Sequence, residues 1–483
     1  MKIRNLKLII ALVSVTVAIT SCKKYLDTKP VGQYLAVNYY KNPSEAYAGL
    51  VACYSPLNSG EGGILLALNA GSDDCYAGGG SSTDNPVAQA FSNFNLMNAA
   101  NSIGSTFWNP LYAGIYNCNV SLSQLPTVPG MTADSLKRYT AESKFLRAYY
   151  YFDLVRTFKN VPLILKPLTS SEVYDQPQAA PEAVYAQIES DLNAAIADLP
   201  VKIPATQNGR VTQGAAKALL GKVFLFEKKW TQAADMLAQV NGTPGGSNSY
   251  GYKLQANFAS LFDQTNKFNS ESIFEIQQSN TISGWANWYS RYIGPRSSSL
   301  PVIFSGGYGF EVVTLNLVNA IKNDPRYPAT VINADSIAKA TNTSYSPGYQ
   351  NTGYFTRKYA PMAATFNSYG EGYDYIIIRL ADTYLMEAEA LVQAGTNTTR
   401  AQALLDAVRA RIKLVSIPAT LTNIYTERRL ELAQEGHRWY DLVRTGQAPT
   451  VLAFKNFTAG KNEILPIPLG DLNNTKLKQN PGY

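Results

Sequence analysis

Ala141-Glu142-Ser143-Lys144-Phe145-Leu146-Arg147-Ala148-Tyr149-Tyr150-Tyr151-Phe152-Asp153-Leu154-Val155-Arg156 is the stretch on which a reading of this 483-residue chain turns. Ala141, Phe145, Ala148, Phe152 and Val155 recur at spacings of four and three, the period that puts side chains on one face of an α-helix. Upstream, Thr132 is placed to cap the helix. Asp134 falls in its first turn, where a carboxylate meets the partial positive charge of unpaired N–H groups. The sequence therefore predicts a long amphipathic helix that ends before Val161-Pro162.

Helical signals continue on both sides. A second helix is expected from Pro181, a favoured first position, to Leu199-Pro200. Thr212 opens a third, whose Ala215, Ala218 and Gly221 let a neighbour approach closely, and another covers 231–240. Leu220-Gly221-Lys222-Val223-Phe224 with Ala233-Ala234 after it fits the heart of a tetratricopeptide repeat, although Lys217 holds the usual tryptophan place. Upstream, helices are expected near 43–57 and 108–125, separated by an exposed loop over 59–83 that contains Gly78-Gly79-Gly80. Towards the C-terminus, Leu380, Tyr384, Ala388 and Leu391 form one face of a helix ended by Gly395, with further helices over 399–414 and 423–434. Between the two helical halves, 241–374 is rich in Gly, Ser, Asn, Tyr and Pro and offers only short strands, near 273–277 and 375–378. The expected fold is mainly α, a tetratricopeptide-like helix-pair scaffold with a large irregular, loop-rich insertion. A long irregular insertion in a regular scaffold is more often a binding surface than filler.

The first residues read as an address. Lys2, Arg4 and Lys7 precede an apolar run from Leu8 to Ile19, then Ile19-Thr20-Ser21-Cys22, the pattern of a bacterial lipobox in which Cys22 is acylated and becomes the new N-terminus. The run is short for a membrane span, and no second long one appears. Several acyl chains, at about 0.8 kcal/mol per buried methylene, anchor a protein without a transmembrane helix.

Charged residues make up 16% of the chain and the formal net charge is +7, with no dense basic run or RNA-binding signature, so nucleic acid is not an expected partner. Cys53, Cys75 and Cys118 show no CxxC pair and the chain has one histidine, which excludes a zinc site of ordinary spacing. Buried thiols and one disulfide such as Cys53 to Cys75 both remain open. No cofactor or metal is assigned, with a structural calcium among loop carbonyls left open.

The helix over 141–156 and Val161-Pro162-Leu163 closely resemble the hallmark helix of the SusD/RagB family. So do Arg428-Arg429-Leu430-Glu431-Leu432-Ala433-Gln434-Glu435-Gly436-His437-Arg438-Trp439-Tyr440-Asp441-Leu442-Val443-Arg444, Leu465-Pro466-Ile467-Pro468 and the terminal Asn480-Pro481-Gly482-Tyr483. The resemblance implies an outer-membrane lipoprotein, facing outside, that sits as a hinged lid on a SusC-like TonB-dependent transporter and delivers a captured glycan or peptide without catalysis. Lys23-Lys24-Tyr25-Leu26-Asp27 departs from the acidic residues often found directly after the lipidated cysteine of exposed lipoproteins in Bacteroidota, the phylum that the resemblance implies. The chain divides on this reading into a signal peptide (1–21), an N-terminal helical region (22–240), a variable ligand-binding region (241–374) and a C-terminal helical region (375–483).

A sugar binder needs apolar ring faces for sugar C–H groups, and amide, carboxylate and guanidinium groups for hydroxyls. Trp285, Trp288, Tyr289, Arg291 and Tyr292 supply both, although their helical spacing equally suits a buried stripe. Asp73, Asp74 and Tyr76 lie where the resemblance implies ligand contacts, while adjacent acids in a Gly-rich segment also suit turns. Neither Asp73-Asp74 nor Glu387 with Glu389 is spaced as a glycosidase pair facing across a sugar, so no enzyme is expected. His437 reads as structural. Glu142, Arg147, Asp153, Arg156, Glu431, Glu435, Arg438 and Asp441 read as a salt-bridge network or, for some, a transporter-facing surface. An oligopeptide ligand and a purely structural envelope scaffold stand as the alternative functions.

Overall fold

A computed structural model describes residues 39–101, 103–282, 286–301, 306–360, 371–473 and 475–483. Cys22 and the leader lie outside the described residues. None of the helices described is long and apolar enough to cross a membrane.

The scaffold is a procession of helices, each packed on the one before it: α1 (Pro43–Ala70), α2 (Ile103–Gln124), α3 (Ala133–Phe158), α4 (Pro181–Asp198), α5 (Gln213–Phe226), α6 (Trp230–Asn241), α7 (Leu380–Ala394) and α8 (Thr398–Arg411). Next come α9 (Leu421–Glu431), which packs on α7, and α10 (Arg438–Arg444). The expected caps are in place. Thr132 accepts from Ser135 N at 3.1 Å, Thr212 accepts from Ala215 N, and Gly395 ends α7 in the left-handed region. A Cβ on Gly221 would sit 2.5 Å from Leu237 Cγ, so the glycine is what lets α5 and α6 close together. Charged groups also join the layers. Arg147 of α3 grips Asp191 of α4 through two bonds of 2.8 Å, and Lys222 of α5 reaches Asp382 of α7 at 3.3 Å.

One expectation fails. The first helix does not give way to an exposed loop after 57 but continues through Pro56 and its glycines to Ala70. Leu65, Leu66, Ala67 and Leu68 are buried, and this apolar run holds the helix against the low propensity of its glycines. Residues 71–75 are buried as well. Strand β1 (Cys75–Gly78) joins a four-stranded antiparallel sheet with β5 (Phe310–Val313), β7 (Tyr354–Thr356) and β6 (Val331–Asn333), in the order β1-β5-β7-β6. Between α3 and α4, β2 (Val161–Pro162) pairs antiparallel with β3 (Gln178–Ala179).

The irregular insertion leaves α6 and returns at α7, two helices that touch. Its neck is an antiparallel pair, β4 (Ser272–Ile276) with β8 (Tyr375–Arg379), close to the two strands expected from sequence. Around this neck lies a buried ion-pair network. Arg379 bonds Glu271, Glu431 and Glu435; Arg411 bonds Glu271 and Glu431; Arg326 bonds Asp324, Glu427 and Glu431; Lys358 bonds Glu435. Arg326 and Lys358 belong to the insertion, Glu427 and Glu431 to α9, and Arg411 to α8, so the network clamps the insertion to the scaffold.

The charges of the two family-like blocks are engaged within the protein. Glu142 meets Arg138 and Arg210, Asp153 meets Arg156, Arg438 meets Asp73, and Asp441 meets Arg428 and Arg444. His437 is half-buried beside Lys222 (3.5 Å), and its desolvation, with the Lys222 charge added, pushes its pKa down to about 3. Cys53, Cys75 and Cys118 are free, buried thiols, which settles the open choice against a disulfide among them.

Candidate functional site

The residues expected to bind ligand do not gather in one place. Asp73 and Asp74 are each 1% exposed. Asp73 accepts from Arg438 Nε at 2.8 Å, and Asp74 from Arg429 Nε at 2.7 Å. Burial would raise the Asp73 carboxyl, but the Arg438 and Arg429 charges outweigh it and hold its pKa below the ordinary value. These carboxylates tie the end of α1 to α9 and α10, and do not face solvent. Tyr76 packs edge-on to Phe454, with rings 6.3 Å apart and the Lys455 ammonium 5.4 Å from its ring.

The tryptophan–tyrosine stretch divides between core and surface. Trp285 lies outside the described residues. Tyr289 is fully buried at the start of a short helical turn, Tyr289–Ile293; its hydroxyl donates to Glu311 and accepts from Asn69 Nδ2 at 3.0 Å. Asn287 fixes the approach to that turn. It forms a backbone bridge with Glu371, donates to the Tyr373 carbonyl at 2.8 Å, and accepts from Tyr289 N at 2.8 Å and from the Tyr375 hydroxyl at 2.7 Å.

The pinned turn buries Ser290 and Ile293 as well, and leaves Trp288 at its entry exposed and Arg291 and Tyr292 half-buried. Trp288 is 41% exposed and Tyr308 37%. The Arg291 guanidinium stands 5.7 Å from the Trp288 ring centre and 5.0 Å from that of Tyr308. Tyr292 is tilted against Tyr308 at 5.8 Å, and Tyr308 N bonds the Arg291 carbonyl at 2.9 Å. The face continues through Arg296, which donates to the Tyr308 carbonyl at 3.0 Å and lies 3.7 Å from Asp84. Exposed Tyr349 adjoins it, its N–H bound to Gly79 O at 2.8 Å.

Gly78 and Gly79 have positive φ angles of 70° and 86°. A Cβ on Gly78 would stand 2.5 Å from Gly309 O, so this corner needs glycine to pair with the strand just past Tyr308. Sequence reasoning missed Asp84, Arg296, Tyr308 and Tyr349. The available signal was tyrosine set beside glycine, Gly306-Gly307-Tyr308-Gly309 and Pro347-Gly348-Tyr349, inside the segment with least periodicity. The assembled face offers exposed aromatic rings, two guanidinium groups and one carboxylate held by backbone. That combination can stack on sugar rings and pair with hydroxyls.

Comparison with known proteins places this geometry in a family. A model described as the SusD family matches residues 270–452, and one described as starch-binding associating with outer membrane matches 76–225. A solved laminarin binding SusD-like protein is 48% identical, superposes with a TM-score of 0.87, and covers 92% of this chain and 100% of its own. This chain belongs to the SusD family. The surface glycan-binding protein A of Bacteroides thetaiotaomicron, solved with laminarihexaose, is 25% identical with a TM-score of 0.81, covering 91% of this chain and 99% of its own. SusD-like protein P25 of Formosa agariphila is 24% identical over 98% of this chain and 97% of its own. The mainly helical architecture expected from sequence is thus the SusD-like one.

Proposed function

We propose that this SusD-family protein captures a nutrient glycan on the Trp288–Arg291–Tyr308 face and delivers it, as a hinged lid, to a TonB-dependent transporter of the outer membrane. In this reading acylation of Cys22 tethers the protein to that membrane, facing outside. The observation that carries glycan capture is the exposed aromatic pair bridged by Arg291 on a turn locked through Asn287 and Tyr289. Exposed rings that are already ordered lose little further entropy on binding, which favours them as a platform. The relatives described as binding laminarin and laminarihexaose make β-glucans of that type the first ligands to try.

The reading includes no hydrolysis. The acids weighed as a catalytic pair are held by guanidinium groups in the interior: Asp73 by Arg438, Asp74 by Arg429, Glu387 by Arg400, and Glu389 by Arg444 at 2.5 Å. Calorimetric titration of the protein lacking residues 1–22 with laminarihexaose, maltohexaose, and neutral and acidic oligopeptides tests glycan capture. Binding of an oligosaccharide that falls at least tenfold in Trp288→Ala, with an unchanged melting temperature, is the expected result. A truncated central anchor of a binding face typically costs about 2 kcal/mol or more, roughly thirtyfold. Unaltered affinity in the variant removes the site from this face, and binding of peptides alone replaces the ligand class.

A further inference from the structure

Apart from the aromatic face, a cleft of about 780 Å³ opens between the 256–265 segment, the turn around Pro325 and Pro328, and the end of α8. That is a volume typical of ligand pockets. It shares no lining residue with the Trp288 face, yet adjoins it. Tyr373 lines the cleft and takes the Asn287 side-chain bond, and Gln264, also in the wall, accepts from Gly372 N at 3.4 Å.

The charge in this cleft is unbalanced. Arg357 is half-buried in its wall, and the one hydrogen bond that its guanidinium makes among the described residues runs from Nη1 to the Ala360 carbonyl at 2.8 Å. It makes no ion pair among the described residues, whereas the neighbouring Arg326, Arg379 and Arg411 each make at least two. Burial depresses the Arg357 pKa, and Tyr373 and the exposed Asp263 offset this only in part. Asp263 is engaged locally, accepting from Thr265 N at 2.9 Å and from its hydroxyl at 2.8 Å. Lys413 adds an exposed ammonium at the rim, and Arg411 contributes a buried Nε with no acceptor among the described residues. Buried Phe258 and Phe262 close the wall behind them. A half-buried guanidinium without a carboxylate, beside an arginine whose Nε alone lacks an acceptor and a rim ammonium, is a receptor for an oxyanion.

We infer that this cleft is a second binding site, in which Arg357 and Lys413 receive the carboxylate or sulfate of an acidic sugar residue. The choice of a saccharide rests on the glycan reading of the adjoining Trp288 face; the anion preference rests on the cleft alone. A guanidinium accepts a planar carboxylate or a sulfate edge in the same two-bond fashion, so the group's source is left to experiment.

The protein lacking residues 1–22 is titrated calorimetrically with a galacturonate tetrasaccharide, whose anions are all carboxylates, a carrageenan tetrasaccharide, whose anions are all sulfates, neutral laminarihexaose and an acidic hexapeptide, each at 50 and 300 mM NaCl. Variants are Arg357→Gln and the rim substitution Lys413→Gln, with folding checked by melting temperature. At least one acidic tetrasaccharide is expected to bind, more weakly at the higher salt, and to lose at least tenfold in Arg357→Gln and threefold or more in Lys413→Gln. Laminarihexaose affinity stays unchanged in both. Whichever tetrasaccharide binds identifies carboxylate or sulfate as the group received. The proposal is overturned if neither acidic tetrasaccharide binds, if their affinities match in all three proteins, or if only the peptide responds. Failure of the aromatic-face reading shows separately, as indifference of laminarihexaose to Trp288→Ala.

Discussion

Glu431→Gln is the perturbation that most directly tests how the insertion is held. The Glu431 carboxylate is fully buried and touches three guanidinium groups: Arg326 at 2.8 Å, Arg379 at 2.5 Å and Arg411 at 2.5 Å. Burial alone would raise its pKa, but the charges of Arg411, Arg379 and Arg326 hold it well below the ordinary glutamate range. The network around it comprises Arg326, Arg379, Arg409, Arg411 and Lys358 against Asp324, Glu271, Glu427, Glu431 and Glu435, five charges of each sign. Neutralising Glu431 leaves an excess positive charge in the interior and turns an amide NH2 group towards cations. Removing one partner from a buried cluster costs about 3–5 kcal/mol. Unfolding entropy near 2.1 cal/mol/K per residue, over a cooperative unit of roughly 440 residues, converts this to a fall in melting temperature of about 3–5 °C. Differential scanning calorimetry at pH 7 reads it. The double variant Glu431→Gln/Arg411→Gln restores the charge balance and is expected to recover part of the loss. A Glu431→Gln protein that melts within 1 °C of the unmodified one, or a double variant whose loss is the sum of the singles, would refute the account of a mutually dependent charge cluster.

Two more outcomes are expected of single residues. Burial pushes the Glu311 carboxyl up to about 8 despite hydrogen bonds from Tyr289, Thr356 and Asn69. A raised folded-state value means the folded protein keeps a proton that the unfolded chain releases near pH 4.5. The stability this supplies is complete below that pH and is lost as pH rises through about 8, on the order of 3–5 kcal/mol. Melting temperature is therefore expected to decline between pH 5 and 9 more steeply in the unmodified protein than in Glu311→Gln, and parallel profiles would contradict the assignment. Gly221→Val drives a side chain into Leu237, where a Cβ already stands 2.5 Å from Cγ, and is expected to cost about 1–3 kcal/mol while glycan titrations stay unchanged; an unchanged unfolding midpoint in urea would show that α5 and α6 separate without cost.

The scaffold was legible in sequence because its signals are local. Thr132, Thr212 and Gly395 mark helix ends through bonds within three or four residues, and the four-and-three spacing of Ala141 to Val155 needs only one helix to make sense. Residues 59–83 were misread for the complementary reason. Composition there is that of a loop, and only packing supplied by distant residues makes it helix and buried strand, as Phe91 and Trp439 do around Gly71 and Val312 and Val313 do along β1. Asp73 and Asp74 suffer the same ambiguity. Two adjacent acids look alike whether they await a ligand or an arginine, and the arginines here are more than 350 positions away along the chain.

The candidate site was half legible for a reason that separates its two kinds of residue. Trp288, Arg291 and Tyr292 could be named because they sit in one short run, but which of them emerges depends on how Tyr289 is anchored by Asn69 and Glu311, contributed by α1 and β5. Tyr308, Arg296 and Tyr349 join the face through backbone bonds between loops, which carry no residue preference and leave no pattern to read. The same division has a physical consequence for binding. The groups below the face are buried and bound on several sides, so a change there costs stability first. The rings above it are exposed, so on the proposed reading exchanging Trp288 or Tyr308 is expected to alter what the face binds while the clamp at Glu431 and Arg379 keeps the insertion in place.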